Sequence, residues 1–198
     1  MQTQPIAQTD ATDAPDEALL VAFANGDRDA GQILLSRISP RLFAYAVRVL
    51  GDRAEAEDVV QETMMRLWKH APDWRQGEAQ VFTWVYRVAS NLCVDRLRKA
   101  KRHVDLGSIH EPASALTDAV GQMTEMQRVD ALQRALATLP DRQRQAVVLR
   151  HLEGLPNPEI ASIMSLSIEA VESLTARGKR ALKQALMGRR EELGYTDG

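Results

Sequence analysis

The sequence predicts an all-helical protein of two small units, on three observations. Its apolar content is carried by Ala, Leu, Val and Met, while aromatics make up only 5% of the 198 residues, a balance that suits helices better than sheets. Apolar residues recur at spacings of three and four through most of the chain, the period of an amphipathic helix. Over residues 103–123 that period fades, and Gly107, Pro112 and Gly121 mark a linker between the two units.

Residues 1–15 are polar, rich in Gln, Thr and Asp, and aperiodic, which reads as a disordered tail. A first helix is expected over 16–24, ending at the Asn25-Gly26 turn signal. The second starts near Asp27 and should be strained or broken at Ser39-Pro40, because proline removes a donor from the hydrogen-bond ladder. It then continues through Leu42, Tyr45, Ala46, Val49 and Leu50 to a stop at Gly51. Asp52 is placed to cap the third helix, with Glu55 three residues on in a box-like arrangement. Along it Val60, Met64, Leu67, Trp68 and Ala71 form the expected buried stripe, and Glu55, Asp58 and Glu62 fall on a different face. Pro72 should end it, residues 73–77 read as a loop, and a fourth helix should run from Val81 or Phe82 to about Arg102.

Beyond the linker, Val129, Leu132, Leu136 and Leu139 mark a helix over 124–139, and a second is expected over 141–152, ending at Gly154. Asn157 reads as the N-cap of the next, with Pro158 at its first position and Ile160, Ala161 and Met164 on its inner face. The turn Ser165-Leu166-Ser167 follows, and Ser167 is placed to cap a longer helix. Short helix, brief turn and longer helix describe a helix-turn-helix. Residues 188–198 read as a C-terminal tail.

The formal net charge of −2 argues against a surface that is basic throughout, yet the charge is unevenly spread. Residues 1–62 carry eleven acids against five arginines, whereas residues 87–102 carry six bases against Asp95 alone. A chain so divided suits a basic partner with one part and phosphates with another. Cys93 is the single cysteine, which excludes an internal disulfide and points to a reducing compartment. No nucleophile and base pair, phosphate-cradling loop or metal-ligand spacing is present, so no catalytic residue, metal or cofactor is expected. The N-terminus lacks the basic start and apolar run of a secretory signal, no segment is apolar enough to span a membrane, and a cytoplasmic location is expected.

Two helical faces carry the candidate chemistry. At about 100° per residue, Val171, Leu174, Gly178, Ala181, Leu182 and Ala185 share one side of the last helix. Opposite lie Glu169, Glu172, Ser173, Ala176, Arg177, Lys179, Arg180 and Lys183. Such an outer face can enter a major groove, with Ser173 and Arg177 near base edges and the lysines at phosphates; an ordinary amphipathic surface helix has the same pattern. On the fourth helix Phe82, Val85, Ala89 and Leu92 face inward while Arg87, Asn91, Arg98 and Arg102 align opposite. An amide among cations can bond a base while the guanidiniums neutralise phosphate, and the loop over 74–77 could hold an unstacked base. For Trp84 and Tyr86, packing at a domain rim fits at least as well as base stacking. A solvated charge run is the competing reading of Lys99, Lys101 and Arg102.

Three segments, AEAEDVVQETMMRLWKHA at 54–71, FTWVYRVASNLCVDRLRK at 82–99 and LPDRQRQAVVLRHLEGLPNPEIASIMSLSIEAVESLTARGKRAL at 139–182, resemble in that order segments of the extracytoplasmic-function (ECF, group IV) sigma factors of the sigma-70 family. The likeness covers about residues 17–186. It implies a sigma-two domain over 16–102 and a sigma-four domain over 124–187. It also implies that Asp58, Gln61 and Glu62, with Glu55 on the same acidic stripe, dock on the clamp coiled coil of the RNA polymerase largest subunit. Arg75, Gln76, Arg87, Asn91, Asp95, Arg98 and Arg102 are then the expected minus-ten contacts, and Glu172, Ser173, Ala176, Arg177, Lys179 and Arg180 the expected minus-thirty-five contacts. The implied partners are core RNA polymerase, promoter DNA and an anti-sigma factor, and the implied role is promoter-specific initiation without catalysis. The family's usual Thr-Val-x-Ser-Arg entry to the recognition helix is here Ala170-Val171-Glu172-Ser173-Leu174, which bears on the promoter sequence read. From the residues alone, a regulator that binds operator DNA unaided through the same helix-turn-helix stays open.

Overall fold

The computed structural model describes residues 13–75, 77, 80–105 and 120–187, with the backbone alone at 103–105 and 120–126. Gln76 lies outside the described residues, as do most of the expected linker and tails. Among the described residues there are eight α-helices and no strand: α1 (Asp16–Ala24), α2 (Arg28–Leu50), α3 (Arg53–His70), α4 (Val81–Asp105), α5 (Val120–Ala137), α6 (Asp141–Val147), α7 (Asn157–Met164) and α8 (Ile168–Met187).

Asp27 caps α2 by accepting from the backbone N–H groups of Asp29 and Ala30, and Gly51 ends it at φ +76°. The expected break at Pro40 does not occur, and α2 is continuous. Pro40 is exposed, so the one carbonyl it leaves without a donor, that of Ser36, can be served by water. Asp52 caps α3 through the Glu55 N–H at 3.0 Å. The buried stripe of α3 is rotated from the expected one: Ala56, Val59, Thr63, Met64 and Leu67 face inward, whereas Val60 and Trp68 are only half-buried. The helix packs on both α2 and α4, and its inner face points between them. Glu17 of α1 accepts from the first N–H of α4, that of Val81, at 3.0 Å, supplying from a distance a cap that the local sequence lacks.

In the second half α5 begins four residues before the expected start. Val129 is 60% exposed rather than buried, and Ala131, Ala135 and Leu136 make the packed face. A π turn over Val148–Leu152 extends α6. Asn157 sits inside the first turn of α7, with Pro156 in the cap position, so its expected capping role is corrected. Pro156 is extended at ψ 153°, which sets the chain one residue ahead of Asn157, and the Asn157 amide turns instead to Glu172 at 3.3 Å. Ser167 does cap α8, accepting from the Ala170 N–H at 3.2 Å. Gly178 lies where α8 crosses α6, and a Cβ there would stand 2.5 Å from the Val147 side chain.

Helices α1 to α4 bury Leu20, Leu34, Leu42, Tyr45 and Leu67, and helices α5 to α8 bury Leu136, Leu149, Ile160 and Ile163. These join into one continuous apolar cluster. The joint between the halves is made by α4 on α7 and by the end of α2 on α5, α6 and the π turn.

Candidate nucleic-acid interface and docking surface

The acidic face of α3 is held by a cation from α4. Glu55, Asp58 and Gln61 are exposed and Glu62 is partly so. Arg96 Nε lies 2.6 Å from Glu55 Oε2 and its Nη2 3.9 Å from Glu62 Oε2, while Arg66 pairs with Glu62 at 2.5 Å. Among the described residues no cation pairs with Asp58. Beside this face α2 and α3 form an open apolar groove lined by Leu35, Pro40, Phe43, Val60, Met64, Met65 and Trp68, with Met65 69% exposed.

On α4 the residues Asn91, Asp95, Arg98 and Arg102 are all exposed, and Asp95, Arg98, Lys99, Lys101 and Arg102 line a shallow cleft. Lys101 is engaged by Asp141 at 2.7 Å. Arg87 is exposed too but drawn away from the others, donating to the Ser162 carbonyl and hydroxyl of α7 at 3.1 and 3.0 Å. Arg75, in the loop ahead of α4, is exposed. Tyr86 is 1% exposed, so its ring is core and offers no platform to a base. His70 stacks parallel to Trp84 at 5.5 Å and Trp74 meets Trp84 edge-on at 6.3 Å, so the rings at this rim pack against one another.

The outer face of α8 is as its spacing predicts. Glu169, Glu172, Ser173, Ala176, Arg177, Lys179, Arg180 and Lys183 are exposed, while Val171 and Gly178 are buried and Leu174, Ala181, Leu182 and Ala185 half-buried. Arg177 folds back on Ser173, donating to its hydroxyl at 2.7 Å and to its carbonyl at 3.3 Å. Hydrogen bonds from its own backbone N–H and from Ser167 hold the Glu169 carboxyl below the usual range. The His151 imidazole is pushed down, first by burial and then by Lys179 and Arg150, which marks the positive field on this side of the molecule. Such a face can meet the phosphates and base edges of a duplex groove.

Sequence reasoning missed the residues that join the halves. Arg144 is buried and donates to the carbonyls of Val49, Ala137 and Leu139. Gln145 donates to the Ser90 carbonyl, and Gln133 to those of Val47 and Arg48. Glu153 receives Arg48 and Tyr86. For Arg144 a signal was present: Val147 and Val148, three and four residues on, are core positions, so the helical period puts Arg144 on the inner face. Glu153, in a turn before Gly154, had none.

Among the described residues no cluster of His, Cys, Asp and Glu could hold a metal ion, and no helix is long and apolar enough to cross a membrane. Residues 34–103 match the family description Sigma-70 region 2, and residues 130–182 match Sigma-70, region 4. The chain is 31% identical over 174 residues to the ECF RNA polymerase sigma factor SigM of Mycobacterium tuberculosis (strain ATCC 25618 / H37Rv), spanning 86% of this chain and 84% of that protein. It is 28% identical over 171 residues to the ECF RNA polymerase sigma factor SigW of Bacillus subtilis (strain 168), spanning 81% and 91%. Its fold is similar to that of the sigma factor RpoE in complex with the anti-sigma factor NepR from Bartonella quintana, with a TM-score of 0.64 at 23% identity over 77% of this chain and 94% of that one. Both regions are present in order and the relatives align along most of their own length, so the chain belongs to the ECF sigma factors of the sigma-70 family.

Proposed function

We propose that this sigma factor binds core RNA polymerase through α3 and brings it to promoters whose minus-ten and minus-thirty-five elements are met by α4 and α8. The observation that carries the reading is the two-sided character of α8, packed on Val171 and Gly178 and solvated along Ser173, Ala176, Arg177 and Arg180, in a chain that matches Sigma-70, region 4. On this reading residues 16–102 form the unit for the polymerase and the minus-ten element, and residues 124–187 the unit for the minus-thirty-five element. Glu55, Asp58, Gln61 and Glu62 meet the polymerase. Arg75, Gln76, Arg87, Asn91, Asp95, Arg98 and Arg102 serve the minus-ten element, and Glu172, Ser173, Ala176, Arg177, Lys179 and Arg180 the minus-thirty-five element. The protein works in the cytoplasm and catalyses nothing itself.

An anti-sigma factor is the regulatory partner in this reading, supported by the similar RpoE structure, which was solved with one bound. Run-off transcription with purified core polymerase and a promoter library tests the function and the specificity together. Selective initiation that depends on added protein is the expected result. Tight binding to duplex DNA without polymerase, and no initiation with it, would replace this reading with that of an operator-binding regulator.

A further inference from the structure

Glu172 stands near the N-terminus of α8, exposed on the face proposed to meet the minus-thirty-five element. Its carboxylate has one partner among the described residues, the side-chain amide of Asn157, which donates from Nδ2 to Oε1 at 3.3 Å. That amide comes from the start of α7, so the contact spans the two helices of the helix-turn-helix. Two other helix-surface acids are met four residues on by an arginine, Glu62 by Arg66 and Asp130 by Arg134. Four residues beyond Glu172 stands Ala176, and Arg177 is turned to Ser173. A neutral amide orients a carboxylate without cancelling its charge. Asn157 is suited to that task. Pro156 and Pro158 flank it, and each ring fixes its own backbone φ. Its Oδ1 is buried without a partner among the described residues. Turning the amide over would aim that oxygen at the Glu172 carboxylate, acceptor against acceptor, so the donor end is the one that faces it.

We infer that Glu172 reads a cytosine in the minus-thirty-five element and that Asn157 positions its carboxylate to do so. This role presupposes the function proposed above and names the base that the site takes. Residues near the N-terminus of a recognition helix reach base edges. An uncancelled carboxylate is repelled by the phosphates along a duplex, so its entry is favourable only against a donor. The major groove offers two, the N4 amine of cytosine and the N6 amine of adenine. Adenine carries the N7 acceptor beside its amine, which opposes the second carboxylate oxygen, whereas cytosine has no acceptor of its own in that groove. Cytosine is therefore the base that a carboxylate selects.

Run-off transcription by the full chain with core polymerase, on a library randomised across the minus-thirty-five element, reads the preference base by base. At one position the parent should favour cytosine by about tenfold or more. Glu172→Ala should abolish that preference and leave those at other positions in place. Glu172→Gln should transfer it to adenine, whose N6 and N7 suit an amide. Asn157→Ala should lower the cytosine preference several-fold without moving the others. On cytosine-bearing promoters, adding Asn157→Ala to Glu172→Ala should cost nothing more, whereas a loosened fold would add its own loss. Selective initiation by a parent with no cytosine preference, or with one that survives Glu172→Ala, would overturn the reading of the base while leaving the function standing. A uniform gain across all sequences in Glu172→Ala would do the same, marking the carboxylate as a repulsive charge only. An Asn157→Ala profile equal to that of the parent would strike the positioning role. No selective initiation by the parent would overturn the function and this role together.

Discussion

Arg96 of α4 and Glu55 of α3 are paired at 2.6 Å, so the most basic helix of the first half is bound to the acidic face of its neighbour. Arg96 is 19% exposed and also stands 3.9 Å from Glu62. Two of the four proposed docking residues are thus partly neutralised from within, while Asp58 and Gln61 face solvent. On the proposed reading, Asp58 carries the unpaired charge that a basic partner would feel first.

Asp58→Arg together with Glu62→Arg should weaken binding to core polymerase by about tenfold or more, since opposed like charges cost on the order of a few kcal/mol. Both positions lie toward solvent, so circular dichroism should not change. A pull-down in which core retention matches that of the parent would remove α3 from the docking surface.

Arg177→Ala should weaken use of promoters that need the upstream element by about 1–3 kcal/mol if the guanidinium makes a bidentate base contact. Its present partner, Ser173, is on its own helix, so the loss should leave stability almost unaltered. Abortive-initiation rates on promoters with and without that element measure it; equal activity on both would take Arg177 out of the site.

Gly178→Val should destabilise the second half by about 1–3 kcal/mol through overpacking. The first added carbon already meets Val147 at 2.5 Å and the Gln143 backbone carbonyl at 3.1 Å, and backbone cannot swing aside. Urea denaturation checks this. An unchanged midpoint would mean that α8 shifts on α6 without penalty.

Stability should fall in alkali. Burial pushes the Cys93 thiol up to about 12 from an ordinary 9.0 and raises the Tyr45 and Tyr86 phenols above their ordinary 10.0. Below pH 9 folded and unfolded chains both keep these protons, and the stabilisation is complete. Above it the unfolded chain releases protons that the folded chain retains, so stability declines by up to ~1.4 kcal/mol per pH unit for each group. Urea midpoints between pH 8 and 11 should drop, with Cys93→Ala flattening the earliest part of the decline. A midpoint that rises over this range would contradict the burial of these groups.

Most of the helices and the outer face of α8 were legible because they depend on local pattern. The Asn25-Gly26 turn, the Asp52 and Ser167 caps and the spacing of Val171, Leu174 and Gly178 each act within one or two turns of chain. What was not legible depends on partners far away in sequence. The inward face of α3 is decided by α4, the first turn of α4 is capped by Glu17, and Arg87 is claimed by Ser162. Pro40 misled because its exposure, which lets water serve the orphaned carbonyl, is a property of the packed molecule.

Arg144 is buried where two helices end: its guanidinium meets the Val49 carbonyl in the last turn of α2, the Ala137 carbonyl that closes α5, and the Leu139 carbonyl just beyond. Helix C-termini carry partial negative charge, so peptide dipoles help to balance this interior cation, and the nearby Asp141 carboxylate adds its own charge. Peptide groups are present whatever side chain a codon specifies. Sequence drift at Val49, Ala137 or Leu139 therefore leaves these acceptors in place, and this particular set of bonds is lost only through a change at the arginine codon itself.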